Sequence, residues 1–382
     1  MLCTMDVAFV SNVVYPFVTG GAEKRIHEIG RRLAERGHEV TVYGRHFWDG
    51  PAVRTHEGMT LRAVAPATDL YTDDDGRRSI AEAVGFGARA LGPLARRADH
   101  HDVVVASVFP YFPVLAARLA TAVRGTPLVT TWHEVWGDYW REYIGALAPF
   151  GRSVEWLTAR CPQYPVAVSD VTARRLARIG QEHERIETVP NGIDYDGIRG
   201  TKPVPDGFDV LFAGRLITDK RVDRLLRAFD RAAPADATLG VVGDGPAYDE
   251  LTALAADLDA ADRITFTGFL DEYDDVVAHM RAADVFASPS TREGFGITYV
   301  EAMAAGCAVI GADHADSAAA EVIGSGGFLV DPDVDSLADA LDRTLAGDRP
   351  PTDPTERAQQ FDWDAVASRA ERVYAAAAEG SW

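Results

Sequence analysis

Lysine is nearly missing from this sequence. Among 382 residues it occurs only at Lys24, Lys202 and Lys220; every other lysine-or-arginine position is arginine, and acidic residues outnumber both, for a formal net charge of −20. Such a surface excludes proteins that grip nucleic acid through a cationic face, because counterion release needs dense positive charge. Cysteine is equally scarce. Cys3, Cys161 and Cys307 are odd in number and far apart, which argues against a disulfide framework or a cysteine zinc site and fits a reducing cytoplasm. Long apolar runs are also lacking: DVVVASVFPYFPVLAARLA is broken by Pro110 and Pro113 and closed by Arg118, so any membrane contact should be peripheral. The start, MLCTMDVAFVSN, has no positive segment before a run of only strand length, unlike a signal peptide. The expected location is the cytoplasm, at most at the inner face of the cell membrane.

What is present is a soluble globular composition, 47% hydrophobic and 25% charged. The surplus of aspartate reads as salt adaptation, since dense short carboxylates keep a surface hydrated when salt screens charge repulsion. An ordinary acidic protein from a GC-rich genome is the plainer alternative. The length exceeds what one core usually organises, so two domains are expected.

The first part alternates strand-like and helix-like runs: DVAFVSN, GAEKRIHEIGRRLAERG, HEVTVYG, then DVVVASV, TPLVTTWHE and YPVAVSD, the last entering a helix capped by Ser169 or Asp170. VPNGIDYDGIRGTKPVPDG, dense in Gly, Pro, Asn and Asp, reads as a linker. Alternation restarts with FDVLFAG and continues through TLGVVGDGP, ITFTGFL, VFASPS and AVIGA; AGDRPPTDPTERAQQ reads as an exposed connector before a last helix. The predicted fold class is α/β, with two doubly wound Rossmann-like domains facing across a cleft. The predicted boundaries are 1–190 for the first domain, 191–207 for the linker, 208–360 for the second domain, and 361–382 for a helix crossing back to the first.

Three stretches could carry chemistry. In YPFVTGGAEKR, Gly20 and Gly21 open a helix and would let backbone N–H groups approach a phosphate; a tight turn explains one glycine easily and two less well, and the three-glycine dinucleotide spacing is absent. In LFAGRLITDKRVDRLL, Gly214 precedes Arg215 and Lys220 in a loop entering a helix, where two cations suit a diphosphate, or merely solvate the surface. VVGDGP reads as a turn or as a ledge beside a nucleotide. In TREGFGITYVEAMAAGC, Glu293 lies in a loop, Gly294 and Gly296 expose backbone, and Gly306 closes a helix at C′. Glu301 falls about a turn into that helix, where a carboxylate can accept hydrogen bonds from a vicinal diol such as ribose. Capping and the helix dipole are the alternative roles for these glutamates.

Taken in order, TGGAEKR, TWHE, NGID, GRLITDK, GDGP and EGFGITYVEAMAAG resemble family 4 of the retaining glycosyltransferases, which have the GT-B architecture, over nearly the whole chain. The resemblance implies transfer of a hexose from a nucleotide diphosphate sugar, UDP- or GDP-linked, to a saccharide, glycolipid or polyprenyl-linked acceptor. It implies that Arg215 and Lys220 neutralise the diphosphate, Glu301 binds ribose, and Glu293 touches the transferred sugar. Backbone at Phe295, Gly296 and Ile297 would add phosphate and sugar contacts, Gly214 would border the donor, and Gly20 and Gly21 would form the first-domain lip. His133 matches the family histidine near the reacting carbon. No cofactor and no essential metal are implied. The text departs from the family after AVIGA, where DHADSAAAEVIG keeps Glu321 and lacks a glycine pair, which bears on recognition of the sugar. A nucleotide-sugar epimerase of the same architecture and a non-catalytic sugar-nucleotide-binding protein are the rival readings.

The acceptor side is less legible. WGDYWREYIGALAPFGRSVEWLTAR interleaves Trp136, Tyr139, Trp140, Tyr143, Phe150 and Trp156 with Arg141, Arg152 and Arg160. The segment reads either as a surface for lipid headgroups or as a helical pair packing its aromatics into the core.

Overall fold

The computed structural model describes residues 4–18, 20–72 and 77–382. The chain forms two compact units: residues 1–190 with 364–382, and residues 191–363.

In the first unit the order is β1 (Asp6–Val10), α1 (Gly21–Glu35), β2 (Glu39–His46), β3 (Val53–His56), β4 (Met59–Pro66), β5 (Tyr71–Thr72), β6 (Arg77–Arg78), α2 (Ile80–Ala95), β7 (Val103–Ser107) and α3 (Tyr111–Arg124). It continues with β8 (Leu128–Trp132), α4 (Trp140–Ile144), α5 (Ala148–Arg160), β9 (Tyr164–Ala167), α6 (Asp170–Ile179) and β10 (Glu187–Thr188). The main sheet runs β10-β9-β8-β7-β1-β2-β4-β3, parallel throughout except for the β3–β4 hairpin. β7 and β8 are almost wholly buried, as expected of parallel strands covered on both faces by helices. Ser169 is the α6 cap: its side chain accepts from the Thr172 N–H.

The second unit holds α7 (Tyr195–Gly200), β11 (Val210–Ala213), α8 (Val222–Ala232), β12 (Leu239–Val242), α9 (Tyr248–Ala256), β13 (Ile264–Gly268), α10 (Tyr273–Ala282) and β14 (Val285–Ser288). After these come α11 (Ile297–Ala305), β15 (Ala308–Ala312), α12 (Ala319–Ile323), β16 (Gly327–Val330), α13 (Val334–Leu345) and α14 (Pro354–Gln359). Its sheet is fully parallel in the order β13-β12-β11-β14-β15-β16. The last helix, α15 (Trp363–Glu379), lies in the first unit from Asp364 onward.

Two stretches read as connectors are built into the second unit. Residues 191–207 carry α7, capped by Asp194, with Ile193 and Ile198 buried and Arg199 donating to the Ala304 carbonyl. Gly192 and the prolines flank this short helix, while Gly197 and Gly200 lie within it. Likewise the stretch 346–360 contains α14, started by Asp353 and Pro354, with Ala358 fully buried. Both were hidden because a single buried apolar residue per turn leaves almost no periodic signal.

Each sheet reverses its winding once, between β1 and β7 in the first unit and between β11 and β14 in the second. Loops leaving such strands at their carboxyl ends diverge, which opens a crevice for a ligand. The loops concerned are those after Val10 and Ser107, and those after Ala213 and Ser288.

Candidate functional site

In the second unit the basic loop after β11 and the glutamate loop after β14 meet at that crevice. Gly214 follows β11 with φ 158°, and the Gly-Asp-Gly turn after β12 runs against it: a Cβ at Gly243 would collide with the Gly214 carbonyl, and one at Gly245 with that of Leu216. Both turn glycines have positive φ as well, so the motif is a turn whose backbone is pressed onto the basic loop. The loop itself forms a 3₁₀ turn at Thr218–Lys220. The Thr291 N–H donates to the Asp219 carbonyl at 2.9 Å, which ties the basic loop to the glutamate loop. Lys220 Nζ then meets Glu293 Oε1 at 2.5 Å, 73 residues away in sequence.

That pair leaves Arg215 as the uncommitted cation of the loop. It is exposed, and its guanidinium has no ion-pair or hydrogen-bond partner among the described residues. Gly296, in the left-handed region at φ 83°, starts α11 without a side-chain cap. The first N–H groups of that helix therefore point out with the positive end of its dipole. Phe295 is buried against Phe361, so only its backbone is available to a ligand. Gly306 closes the helix in the left-handed conformation, as expected.

Glu301 is largely buried, and Tyr273, 28 residues earlier, donates its hydroxyl to Glu301 Oε1 at 2.8 Å. Burial, reinforced by the Glu301 charge, raises the Tyr273 phenol pKa far above its ordinary value, so the hydroxyl stays a donor. Tyr273 was not foreseen; no local pattern joins it to Glu301. The departing segment after β15 also reaches this place: Glu293 N–H donates to Asp316, and Ala318 N–H to Glu293, so residues 316–318 run beside Glu293.

In the first unit, Gly20 is extended, at φ −170°, and Gly21 is the first residue of α1, so neither glycine is needed for a left-handed turn. α1 has no side-chain cap, and the Glu23 side chain occupies the space a Cβ at Gly20 would need. His133 follows β8, with Nε2 2.9 Å from the Ser107 hydroxyl at the end of β7. Desolvation, with the Arg25 charge adding, pushes its pKa down to about 3, so this imidazole is neutral at working pH. Arg25, which motif reading passed over, is buried and donates to the carbonyls of Val189 and Pro190.

The aromatic segment divides. Trp136, Trp140 and Tyr143 pack with Phe109 and Tyr111, and the buried carboxylate of Glu155 accepts from the Tyr111 hydroxyl, the Trp140 indole and the N–H groups of Trp136 and Gly137. Four donors compensate a charge that would otherwise be costly to bury. Phe150 and Trp156, by contrast, are each 49% exposed, beside exposed Leu147 and Leu157, and Arg160 lies over the Trp156 ring. No helix of the described chain is long and apolar enough to cross a membrane.

Comparison with known proteins agrees with this geometry. Residues 19–196 match the model of Glycosyltransferase Family 4, and residues 198–361 that of Glycosyl transferases group 1. The chain is 35% identical to a phosphatidyl-myo-inositol mannosyltransferase of Mycobacterium tuberculosis, covering 94% of this chain and 93% of that one. It is 29% identical to a GDP-mannose-dependent alpha-(1-6)-phosphatidylinositol monomannoside mannosyltransferase of Mycolicibacterium smegmatis, over 88% of each. The sucrose-phosphate synthase of Thermosynechococcus elongatus superposes with TM-score 0.74 at 20% identity, over 97% of this chain and 98% of that one, and so shares the GT-B fold. The chain belongs to the group 1, family 4 glycosyltransferases and is a nucleotide-sugar glycosyltransferase.

Proposed function

We propose that this protein transfers a hexose from a nucleotide diphosphate sugar, with retention of anomeric configuration, to a lipid-linked or saccharide acceptor at the cytoplasmic membrane face. The observation that carries the reading is the Lys220–Glu293 contact, which holds the basic loop against the uncapped start of α11. In this reading Arg215, Lys220 and the backbone N–H groups of Gly296 and Ile297 neutralise the diphosphate, so no metal is needed for that task. Glu301, oriented by Tyr273, takes the ribose hydroxyls. Gly214 gives the nucleotide room beside the Gly-Asp-Gly turn, while Gly20 and Gly21 present the first turn of α1 to phosphate.

The bond from the anomeric carbon to the diphosphate oxygen breaks, and its electron pair leaves with the diphosphate. The acceptor oxygen attacks from the same face, and its proton passes to the departing phosphate. The engagement of Glu293 by Lys220 supports this course over covalent attack by a free carboxylate. Neutral His133 serves as a hydrogen-bonding group near the transferred sugar. The mannosyltransferase relatives make GDP-mannose the first donor to try, and exposed Phe150 and Trp156 with Arg160 form the surface assigned to lipid.

The test is thermal unfolding in molar KCl, chosen for the acidic surface, against GDP, UDP, ADP and their sugar conjugates. A ligand at 100 times its Kd adds about 2.7 kcal/mol. A GDP or UDP sugar is expected to stabilise more than its bare nucleotide. Failure of all of them with a well-folded sample would favour a binding protein without turnover. Product analysis with the stabilising sugar then separates transfer from epimerisation.

A further inference from the structure

Away from the donor residues, the first unit holds a group of side chains that the transfer reaction does not use. His27 lies in the second turn of α1. His56 and Glu57 lie at the turn of the β3–β4 hairpin. His27 Nε2 is 3.1 Å from Glu57 Oε2, and His56 Nε2 is 3.8 Å from Glu57 Oε1. One ligand atom from each of the three residues falls within 4.8 Å of the others. We infer that His27, His56 and Glu57 form a binding site for one borderline divalent cation such as Zn²⁺, Co²⁺ or Ni²⁺.

Three features support the assignment. First, the donor set is two imidazoles and one carboxylate, the mixture such ions favour. Ligands about 2.0–2.1 Å from a tetrahedral centre stand about 3.3–3.4 Å apart, so a group already within 4.8 Å needs to close by about 1.5 Å or less to hold the ion. Second, His56 Nε2, the ring nitrogen that faces Glu57, is buried and has no hydrogen-bond partner. An orphaned buried nitrogen is costly unless something binds it. Third, Glu57 and Gly58, both at positive φ, are the two loop residues of the tight β3–β4 hairpin, and this turn sets the Glu57 carboxylate 3.1 Å from His27 Nε2.

The surrounding charges allow a cation. Arg31 Nε is 3.8 Å from Glu57, but Arg31 is also paired with Glu28 and Glu35. The Glu57 side chain is 47% exposed, leaving an open side for entry and for a water ligand. The Tyr15 ring lies 4.8 Å from that of His27, and the Phe17 ring 5.7 Å from that of His56. A bound ion would therefore brace the loop between β1 and α1, which leads to Gly20.

The experiment is titration of the full-length, tag-free, chelator-treated protein with Co²⁺, followed by its visible d–d bands, and with Zn²⁺ in competition. One equivalent per chain with micromolar or tighter affinity is expected. Glu57→Gln, at an exposed side chain that leaves the fold intact, and His56→Gln should each weaken binding at least tenfold. No saturable binding in the wild type, or binding unchanged in both variants, would overturn the assignment.

Discussion

The two units solve different problems with different materials. The second is a polar site made of short local motifs: glycine turns, an uncapped helix, the Lys220–Glu293 pair, the Tyr273-bound Glu301 and the uncommitted Arg215. In the first, the histidine is kept neutral by burial, and the aromatic segment is organised around one buried glutamate. The contrast teaches that charge is presented where a diphosphate is expected and withdrawn where a sugar or lipid is expected.

Removing the uncommitted cation should break this contrast most. Arg215→Ala is expected to lower kcat about 10²–10³-fold, with the melting temperature unchanged because its side chain is exposed. Near-normal turnover in a donor assay would sink its role.

The neutral histidine gives the next effect. Between an unfolded pKa of 6.5 and a folded value of about 3, the unfolded chain binds a proton at His133 and the folded chain does not. Stability therefore falls as pH is lowered through that window, by up to about 1.4 kcal/mol per pH unit from this residue. Urea unfolding from pH 6.5 to 4 should show a shallower loss in His133→Asn than in the wild type; equal slopes would mean the imidazole is solvated.

Tyr273→Phe sharpens the comparison more gently. Loss of one hydrogen bond to Glu301, worth about 1 kcal/mol, should raise donor KM several-fold while leaving kcat nearly unchanged. A fall in kcat with KM constant would place the tyrosine in the chemistry instead. The smallest effect belongs to the exposed rim of the first unit: Phe150→Ser with Trp156→Ser should reduce sedimentation with anionic vesicles a few-fold, without altering thermal stability. Undiminished sedimentation would move the lipid surface elsewhere.

Much of this was legible in the residues. Strand identity, the restart of alternation in the second half, a helix cap at Ser169 or Asp170 and the Gly306 stop all follow from local chemistry, and the structure gives the cap to Ser169. The Glu293–Glu301 spacing likewise marked one helix start. What stayed hidden depends on distant parts of the chain meeting. Lys220 meets Glu293 directly across 73 residues of sequence, Tyr273 reaches Glu301 across a helix pair, and Glu155 collects donors from three elements. The hairpin histidine and glutamate drew no notice because His27 is 29 residues away.

The division of the chain has a consequence for its synthesis. The first unit needs both the opening 190 residues and the closing helix, with the second unit inserted between them. Domains fold as units while the chain emerges from the ribosome. The second unit can thus be finished first, while the first waits for residues 364–382, with Val373 and Tyr374 among the apolar side chains they bury. A ribosome stalled before those residues would release a complete second unit joined to an unfinished partner, exposing apolar surface to chaperones and proteases.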